Sequence, residues 1–255
     1  MNGARAAAAG QPVAISPGTR NRLLGLMLAE DRAALEARAK PVTFKAGQAF
    51  FEPGQMIETV HFIEEGVVSG IILLQNGASV EAMIVGREGV VGALAYAGPV
   101  LAFGRAVGQI PGKALSVESA VLRDLVAERP HLRSLLERYS LKMQIDLAQS
   151  LACNALHRLE QRLSKWLLRC HDRVDGDTLV VTQEALAQML ASQRTTVSEM
   201  ASTFQRQGLI GCRRGKIDVK RREQLERLTC ECYATVVERE REFDIAVRSR
   251  ADRPG

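Results

Sequence analysis

The apolar positions change period along the chain, and each change marks an element. In residues 21–39, Leu23, Leu24, Met27, Leu28, Ala34 and Leu35 recur at helical spacing and predict a helix that stops at Pro41. From Val42 to Ser119 the pattern shortens to alternating or β-branched runs punctuated by glycines such as Gly47, Gly54, Gly66, Gly77 and Gly104. One run, Val60-His61-Phe62-Ile63, ends at Glu64-Glu65-Gly66. A second begins at Val67 and reaches the turn Gln75-Asn76-Gly77, a hairpin signal because Asn-Gly supplies the positive φ that such turns need. Many short strands at near-regular spacing predict a small antiparallel barrel or roll.

After Val121 the helical period returns, and from Pro130 it continues for about 25 residues. This helix has two apolar seams. Leu132, Leu136, Tyr139, Met143 and Ser150 form one, interrupted by Asp146; Leu141, Ile145, Ala148, Ala152 and Ala155 form the other. A helix with two apolar faces packs against two things, here its own roll and a second copy of the chain. The first seam is assigned to the dimer. Another amphipathic helix covers residues 157–173, with Leu159, Leu163, Trp166, Leu167 and Cys170 inward.

Residues 182–210 read as two short helices with a tight turn. Thr182 is a cap residue, Leu186, Met189 and Leu190 are the inner face of the first helix, and Ser192 is cap-type for the second. Val197, Met200, Ala201 and Phe204 line the second. Ala187, Ala191 and Val197 stand where a helix-turn-helix needs small, small and β-branched residues. Gly208 ends the second helix. Two β-prone runs, 209–212 and 216–219, then flank Arg213-Arg214-Gly215, so a basic-tipped hairpin, a wing, follows the helix pair.

Charge agrees with that placement. The 255 residues carry a net charge of +5, unevenly. Residues 41–120 hold four bases and seven acids, whereas residues 154–222 hold 13 bases and seven acids. The basic half contains the helix-turn-helix, as a nucleic-acid surface requires. The five cysteines form no disulfide framework and suit a reducing, cytoplasmic setting. No apolar run approaches the ~18 residues of a membrane span, so no membrane partner is expected. Residues 1–20 are expected to be a disordered tail rather than a signal peptide.

A glycine-punctuated roll, a long helix and a winged helix-turn-helix together resemble the Crp/Fnr family of bacterial transcription regulators. The resemblance runs from about Leu23 to Lys220 and rests on Phe44-Lys45-Ala46-Gly47-Gln48, Phe51-Glu52-Pro53-Gly54, His61-Phe62-Ile63-Glu64-Glu65-Gly66-Val67-Val68 and residues 182–210. It implies an α+β fold: a disordered tail (1–20), an N-terminal antiparallel, jelly-roll-like β-roll sensor domain (21–125), a dimerisation helix (126–156), a winged helix-turn-helix (157–222) and a helical extension with a tail (223–255). It also implies a homodimer on a palindromic double-stranded DNA operator, with RNA polymerase as a further candidate partner. The base-reading candidates are Gln193, Arg194, Thr195, Ser198 and Glu199, and the phosphate-binding candidates are Thr182, Ser192, Thr196, Arg213, Arg214 and Lys216.

The departures from the family concern the effector and the operator. Cyclic-AMP-binding members carry Gly-Glu in the loop after the late roll strands, then Arg followed by a hydroxyl residue. Here Gly92-Ala93 and Gly104-Arg105-Ala106 stand there, and Leu147 and Ala148 replace the adenine-facing hydroxyls. Gly92, Ala93, Arg105, Leu147 and Ala148 are the candidate effector pocket, and cyclic AMP is not expected in it. An iron–sulfur cluster is not expected, because every cysteine lies at Cys153 or later. Nor is haem, for which His61 is the axial candidate. The best-known members present Glu where Thr195 stands and Arg where Glu199 stands, so the half-site should differ from theirs.

Cys230 and Cys232 are read as lying on one helix. There they would point about 200° apart and could share a metal only if the helix broke, so no metal site is expected. No catalytic set, P-loop or dinucleotide fingerprint is present, and an enzyme is not expected. Two other readings stay open: a cyclic-nucleotide-binding module that acts on a protein partner, and an architectural DNA binder of low specificity.

Overall fold

The computed structural model describes residues 19–251. Most of the predicted tail, 1–20, lies outside them. Its last two residues are held in place: Thr19 is buried, and Arg20 pairs with Glu65 at 2.9 Å and with Asp175.

The helix expected over 21–39 comes in two pieces, α1 (Arg22–Gly25) and α2 (Ala29–Glu36). The break lets Leu23, Leu24 and Leu35 enter one apolar cluster. Buried Asn21 fixes the start. Its carbonyl oxygen accepts the Leu24 N–H at 2.9 Å, and its amide donates to the carbonyls of Ile63 and Gly89.

The roll follows as β1 (Lys40–Phe44), β2 (Ala49–Phe51), β3 (Thr59–Leu73), β4 (Ser79–Val85), β5 (Val90–Val91) and β6 (Arg105–Glu118). Its antiparallel strand order is β1-β6-β3-β4, with β2 on β6 and β5 on β3. Pro41 does not end a helix; it lies in β1, a sheet edge where its missing N–H is tolerated. The Asn76-Gly77 hairpin forms between β3 and β4, with Gly77 at φ 83°. The break expected at Glu64-Glu65-Gly66 is absent, because β3 runs through it with shifts of register against β6. Here the two backbones cross closely. Gly66 has φ 84°, and a Cβ on it would stand 2.6 Å from the Ile110 carbonyl oxygen; one on Gly112 would stand 1.8 Å from that of Glu65.

α3 (Ser119–Glu128) leads to α4 (Pro130–Leu156), whose first turn holds Pro130. After α5 (Leu159–His171) come β7 (Thr178–Leu179), α6 (Gln183–Met189), α7 (Arg194–Arg206), β8 (Ile210–Arg213) and β9 (Lys216–Val219). β7, β9 and β8 form a second antiparallel sheet. α8 (Arg222–Leu228) and α9 (Cys232–Ala251) complete the chain.

The assignment of seams on α4 is reversed. Leu132, Leu136, Tyr139 and Ser150 are buried within the chain, and Met143 is partly buried against the same cluster. The Tyr139 hydroxyl oxygen accepts the Val90 N–H at 3.1 Å, and burial pushes its pKa up. The free face carries Leu141, Ile145, Ala148 and Leu151, with Leu141 58% and Leu151 72% exposed. Two apolar seams are equivalent on paper.

The C-terminal extension spans more than its expected place beside the helix-turn-helix. Tyr233 of α9 belongs to the apolar cluster of the winged domain, whereas Phe243 and Val247 pack against the cluster that contains Leu132, Leu136 and Tyr139, with Phe243 edge-on to Tyr139. The two halves also share a core: Val67, Ile71 and Ile84 of the roll lie in one cluster with Leu186, Met189 and Leu190.

A buried ionic group ties these parts together. Arg173, just past α5, has its side chain only 4% exposed and pairs with Glu88 of the roll at 2.8 Å and Glu240 of α9 at 2.9 Å. Glu240 lies 3.5 Å from Arg22, which also pairs with Asp244. Lys142 of α4 pairs with Asp146 at 2.7 Å. Burial works to raise the Glu88 pKa, but Arg173 and Lys142 outweigh it and hold it at about 2. Arg173 is raised despite its burial by the same carboxylates.

Two outcomes follow from this group. Replacing Arg173 by Leu should cost about 3–5 kcal/mol in urea unfolding, because two buried carboxylates lose their counter-charge; Arg173→Leu combined with Glu88→Leu and Glu240→Leu should recover most of it. The Glu88 pKa is depressed from 4.5, so its contribution is complete above pH 4.5 and disappears as pH falls towards 2. Circular dichroism should show acid destabilisation across that window, and Glu88→Gln should flatten it.

Candidate functional site

The helix-turn-helix is built around a small apolar wedge. Leu186 and Ala187 of α6 meet Val197, Ala201 and Phe204 of α7, with Val197 and Phe204 fully buried. Thr182 caps α6, accepting the Ala185 N–H on its hydroxyl oxygen at 3.1 Å. This contact is worth about 1 kcal/mol, so Thr182 serves the helix first. The turn differs from expectation in one residue: α7 starts after Gln193, not Ser192, and Gln193 makes no side-chain cap bond. Ala191 takes φ 44°, an uncommon conformation for alanine that reverses the chain.

α7 ends in a Schellman arrangement. Leu209 N–H donates to the Phe204 carbonyl at 2.9 Å, Gly208 N–H donates to that of Gln205 at 3.0 Å, and Gly208 has φ 71°. β8 then leaves at once into the wing. Arg213 pairs with Asp218 at 2.8 Å, and Asp218 also accepts from Thr178 at 2.7 Å. The Arg213 and Thr178 hydrogen bonds hold the Asp218 pKa down. Arg213 is therefore a brace of the hairpin, while Arg214 and Lys216 project from its tip, exposed and without an ion pair among the described residues.

On α7 the face opposite the wedge is exposed at Arg194, Thr195, Thr196, Glu199, Ser202 and Arg206. Gln193 is exposed just ahead of it. Arg194 lies 3.3 Å from Glu184, but both side chains are about 70% exposed, and a pair so wetted holds the arginine only weakly. Ser198 is different. Its hydroxyl donates to Gln183 Oε1 at 2.9 Å, which makes it a tie between the two helices rather than a free reader. Ser192 is half-buried, with its N–H bonded to the Ala187 carbonyl at 3.1 Å. The structure thus presents Gln193, Arg194, Thr195, Thr196 and Glu199 together at the open end of α7, where the first-turn N–H groups are also free to meet an anion.

The roll encloses an apolar cavity lined by Val68, Ile71, Met83, Val90 and Val100, with Gly92, Ala93 and Arg105 at its wall. Leu147 and Ala148, predicted to face it, do not; Met143 reaches it from α4 instead. Arg105 pairs with Glu52 at 3.0 Å, so its charge is already answered. His61 sits edge-on to Phe50, and burial pushes its pKa down to about 4.

Sequence reading missed one further constellation. The helix expected to carry Cys230 and Cys232 breaks between α8 and α9, with Thr229 in extended conformation. The break brings both cysteines to Cys153 and His157 at the end of α4. All four ligand atoms lie within 4.8 Å of one another. The hydrogen bond between Cys153 and Cys230 and the nearby Lys165 lower the Cys153 pKa against its burial.

Residues 161–228, from α5 to α8, match the description of a Crp-like helix-turn-helix domain. The chain carries a Crp-like DNA-binding domain. Over a longer stretch of 202 residues it is 26% identical to the CRP-like cAMP-activated global transcriptional regulator of Mycobacterium tuberculosis, a match that covers 76% of this chain and 90% of that protein. Its fold is that of FixK2 from Bradyrhizobium japonicum (TM-score 0.64, 18% identity, 75% of this chain and 98% of that one). A CRP-family transcriptional regulator from Thermus thermophilus shares it too (TM-score 0.61, 21% identity, 73% and 95%). The chain is a DNA-binding transcription regulator with a Crp-like helix-turn-helix domain, and the relative it matches regulates transcription. Among the described residues no helix is long and apolar enough to cross a membrane.

The division of labour in the wing can be measured. Arg214→Ala should weaken binding to all duplexes alike and lower the slope of log affinity against log salt by about 0.9 per copy on the DNA. Arg213→Ala should instead lower thermal stability of the wing, because it strands the carboxylate of Asp218.

Proposed function

We propose that this regulator acts as a homodimer on a two-fold-related DNA site, with Arg194, Thr195 and Glu199 reading base edges and Gln193 assisting. The observation that carries the reading is the exposed end of α7 beside a wing whose tip residues, Arg214 and Lys216, are exposed cations without an ion pair among the described residues. Arg194 suits guanine, whose two major-groove acceptors match its fork. Glu199 can accept from cytosine, and the Thr195 methyl can touch thymine. Thr196, Arg214 and Lys216 grip phosphates; Thr182, Ser192 and Arg213 contribute through shape more than by direct contact. Ser198 positions α7 against α6.

The dimer is proposed along the free face of α4. Leu141, Ile145, Ala148 and Leu151 follow three- and four-residue steps, the pattern that closes a two-helix seam. Cytoplasmic location fits five free cysteines, and a regulator of this type would meet RNA polymerase at its operator.

The Mycobacterium tuberculosis relative is described as cAMP-activated. For this chain we propose no cyclic nucleotide. A cyclic phosphate needs converging polar donors; the roll offers an apolar cavity in which Arg105 is bound to Glu52. Haem is not proposed either, because His61 is packed on Phe50, and neither is an iron–sulfur cluster in the roll, which holds no cysteine.

Selection of bound fragments from random DNA should return an inverted repeat. Arg194→Ala should then lose about 1–3 kcal/mol of discrimination at one base pair of each half-site, while its binding to random duplex changes little. Full discrimination by that variant would refute the base-reading role. Ile145→Glu should leave a folded monomer in analytical ultracentrifugation, whereas a dimer unaffected by it would mean that another face joins the copies. Calorimetric titration with cyclic AMP should show no binding at millimolar ligand.

A further inference from the structure

We propose that Cys153, His157, Cys230 and Cys232 form a structural zinc site that locks the end of the long helix to the winged domain and to α9. The distances support one ion rather than a cluster. Zinc with ligands at about 2.3 Å to sulfur and 2.0–2.1 Å to nitrogen gives a tetrahedron with edges of about 3.8 Å between sulfurs and about 3.6 Å between sulfur and nitrogen. Cys153 Sγ and Cys230 Sγ are 3.6 Å apart, and Cys232 Sγ and His157 Nδ1 are 3.5 Å apart. An iron–sulfur cluster puts its own atoms between the cysteines and needs them spread more widely.

The surroundings are also those of a metal site. His157 turns Nδ1 to the cysteines and Nε2 to the Glu231 carboxylate at 3.2 Å, the arrangement by which a carboxylate orients a ligating imidazole. Gln149 donates an amide N–H to Cys232 Sγ at 3.0 Å. Lys165 stands beside Cys153 and offsets the charge that three thiolates and one zinc ion leave over. All three cysteines are buried, and a soft, enclosed set of three thiolates and one imidazole selects zinc over the hard cations.

The local fold explains how the set arises. Cys153 and His157 are four apart, one turn along α4, and share a face. Cys230 and Cys232 face the same point only because α8 and α9 are separate helices. All four residues lie outside the stretch 161–228 that matches the Crp-like domain, so the site is an addition around that domain rather than a part of it. His157 is also one of the two residues between α4 and α5, where the helix arm meets the DNA-binding half.

The test uses the full-length chain, purified under reducing conditions without a metal-affinity step. Metal analysis should find close to one zinc per chain. After removal of zinc, titration with Co²⁺ should give the visible bands of a tetrahedral, thiolate-rich site, saturate at one equivalent and be displaced by Zn²⁺. Cys153→Ser and Cys232→Ser should abolish those bands, and Cys212→Ser, on the wing, should leave them intact. Because the cysteines are buried and their replacement disturbs packing, Glu231→Gln provides a surface variant, expected to bind Co²⁺ at least about 10-fold more weakly. Wild-type protein with its five thiols reduced and less than a tenth of an equivalent of Co²⁺ bound would overturn the proposal. So would an iron–sulfur absorption spectrum, or a Co²⁺ spectrum unchanged by Cys153→Ser. Metal content is read without DNA, so this result and the result for operator binding stand or fall separately.

Discussion

Arg173 ties the roll, the winged domain and the last helix to one another through a single buried charge. Its guanidinium lies out of water between Glu88 of the roll and Glu240 of the last helix. A buried charge of this kind is tolerated only with its partners in place. The roll, the winged domain and α9 are therefore bound to one relative position, or else they leave a charge stranded. Such a group contributes less to overall stability than an apolar core of the same size would. Its contribution is to relative position, which matters in a protein whose recognition surface sits on one half and whose cavity sits on the other.

The shared apolar cluster works in the same direction. Ile84 of β4 packs into the group that supports α6, so the roll and the helix-turn-helix are in direct contact. Glu81, on the same strand, accepts from Ser69 of the roll and from Trp166 of α5 at 3.3 Å, and burial raises its pKa. The roll and the winged domain thus meet over a surface with apolar and polar parts, not through the long helix alone.

Much of this architecture was legible in the order of residues. Pro130 and the absence of a breaker after it placed α4 almost to the residue. The wing followed from Gly208 and two short β-prone runs, and Thr182 announced the start of α6. What escaped was what depends on distant neighbours. Either seam of α4 could have faced the roll. Ser198 looked like a reader until Gln183 appeared within its reach. The metal-binding set was hidden because the break after Leu228 contains neither glycine nor proline, so the helical period runs through it. The mutual approach of Cys153 and Cys230 spans 77 positions of sequence.

The first helix of the described chain is joined to the last, since Arg22 pairs with both Glu240 and Asp244. A ribosome makes Arg22, Glu88 and Arg173 long before it makes Glu240. During synthesis the roll and the winged domain can each collapse, yet the ionic group between them stays incomplete until the final helix has emerged. The closing step of folding belongs to the finished polypeptide. A nascent chain stalled before α9 would hold its two halves by their shared apolar cluster and the Arg173–Glu88 pair, with the charges of Arg22 and Arg173 only partly answered.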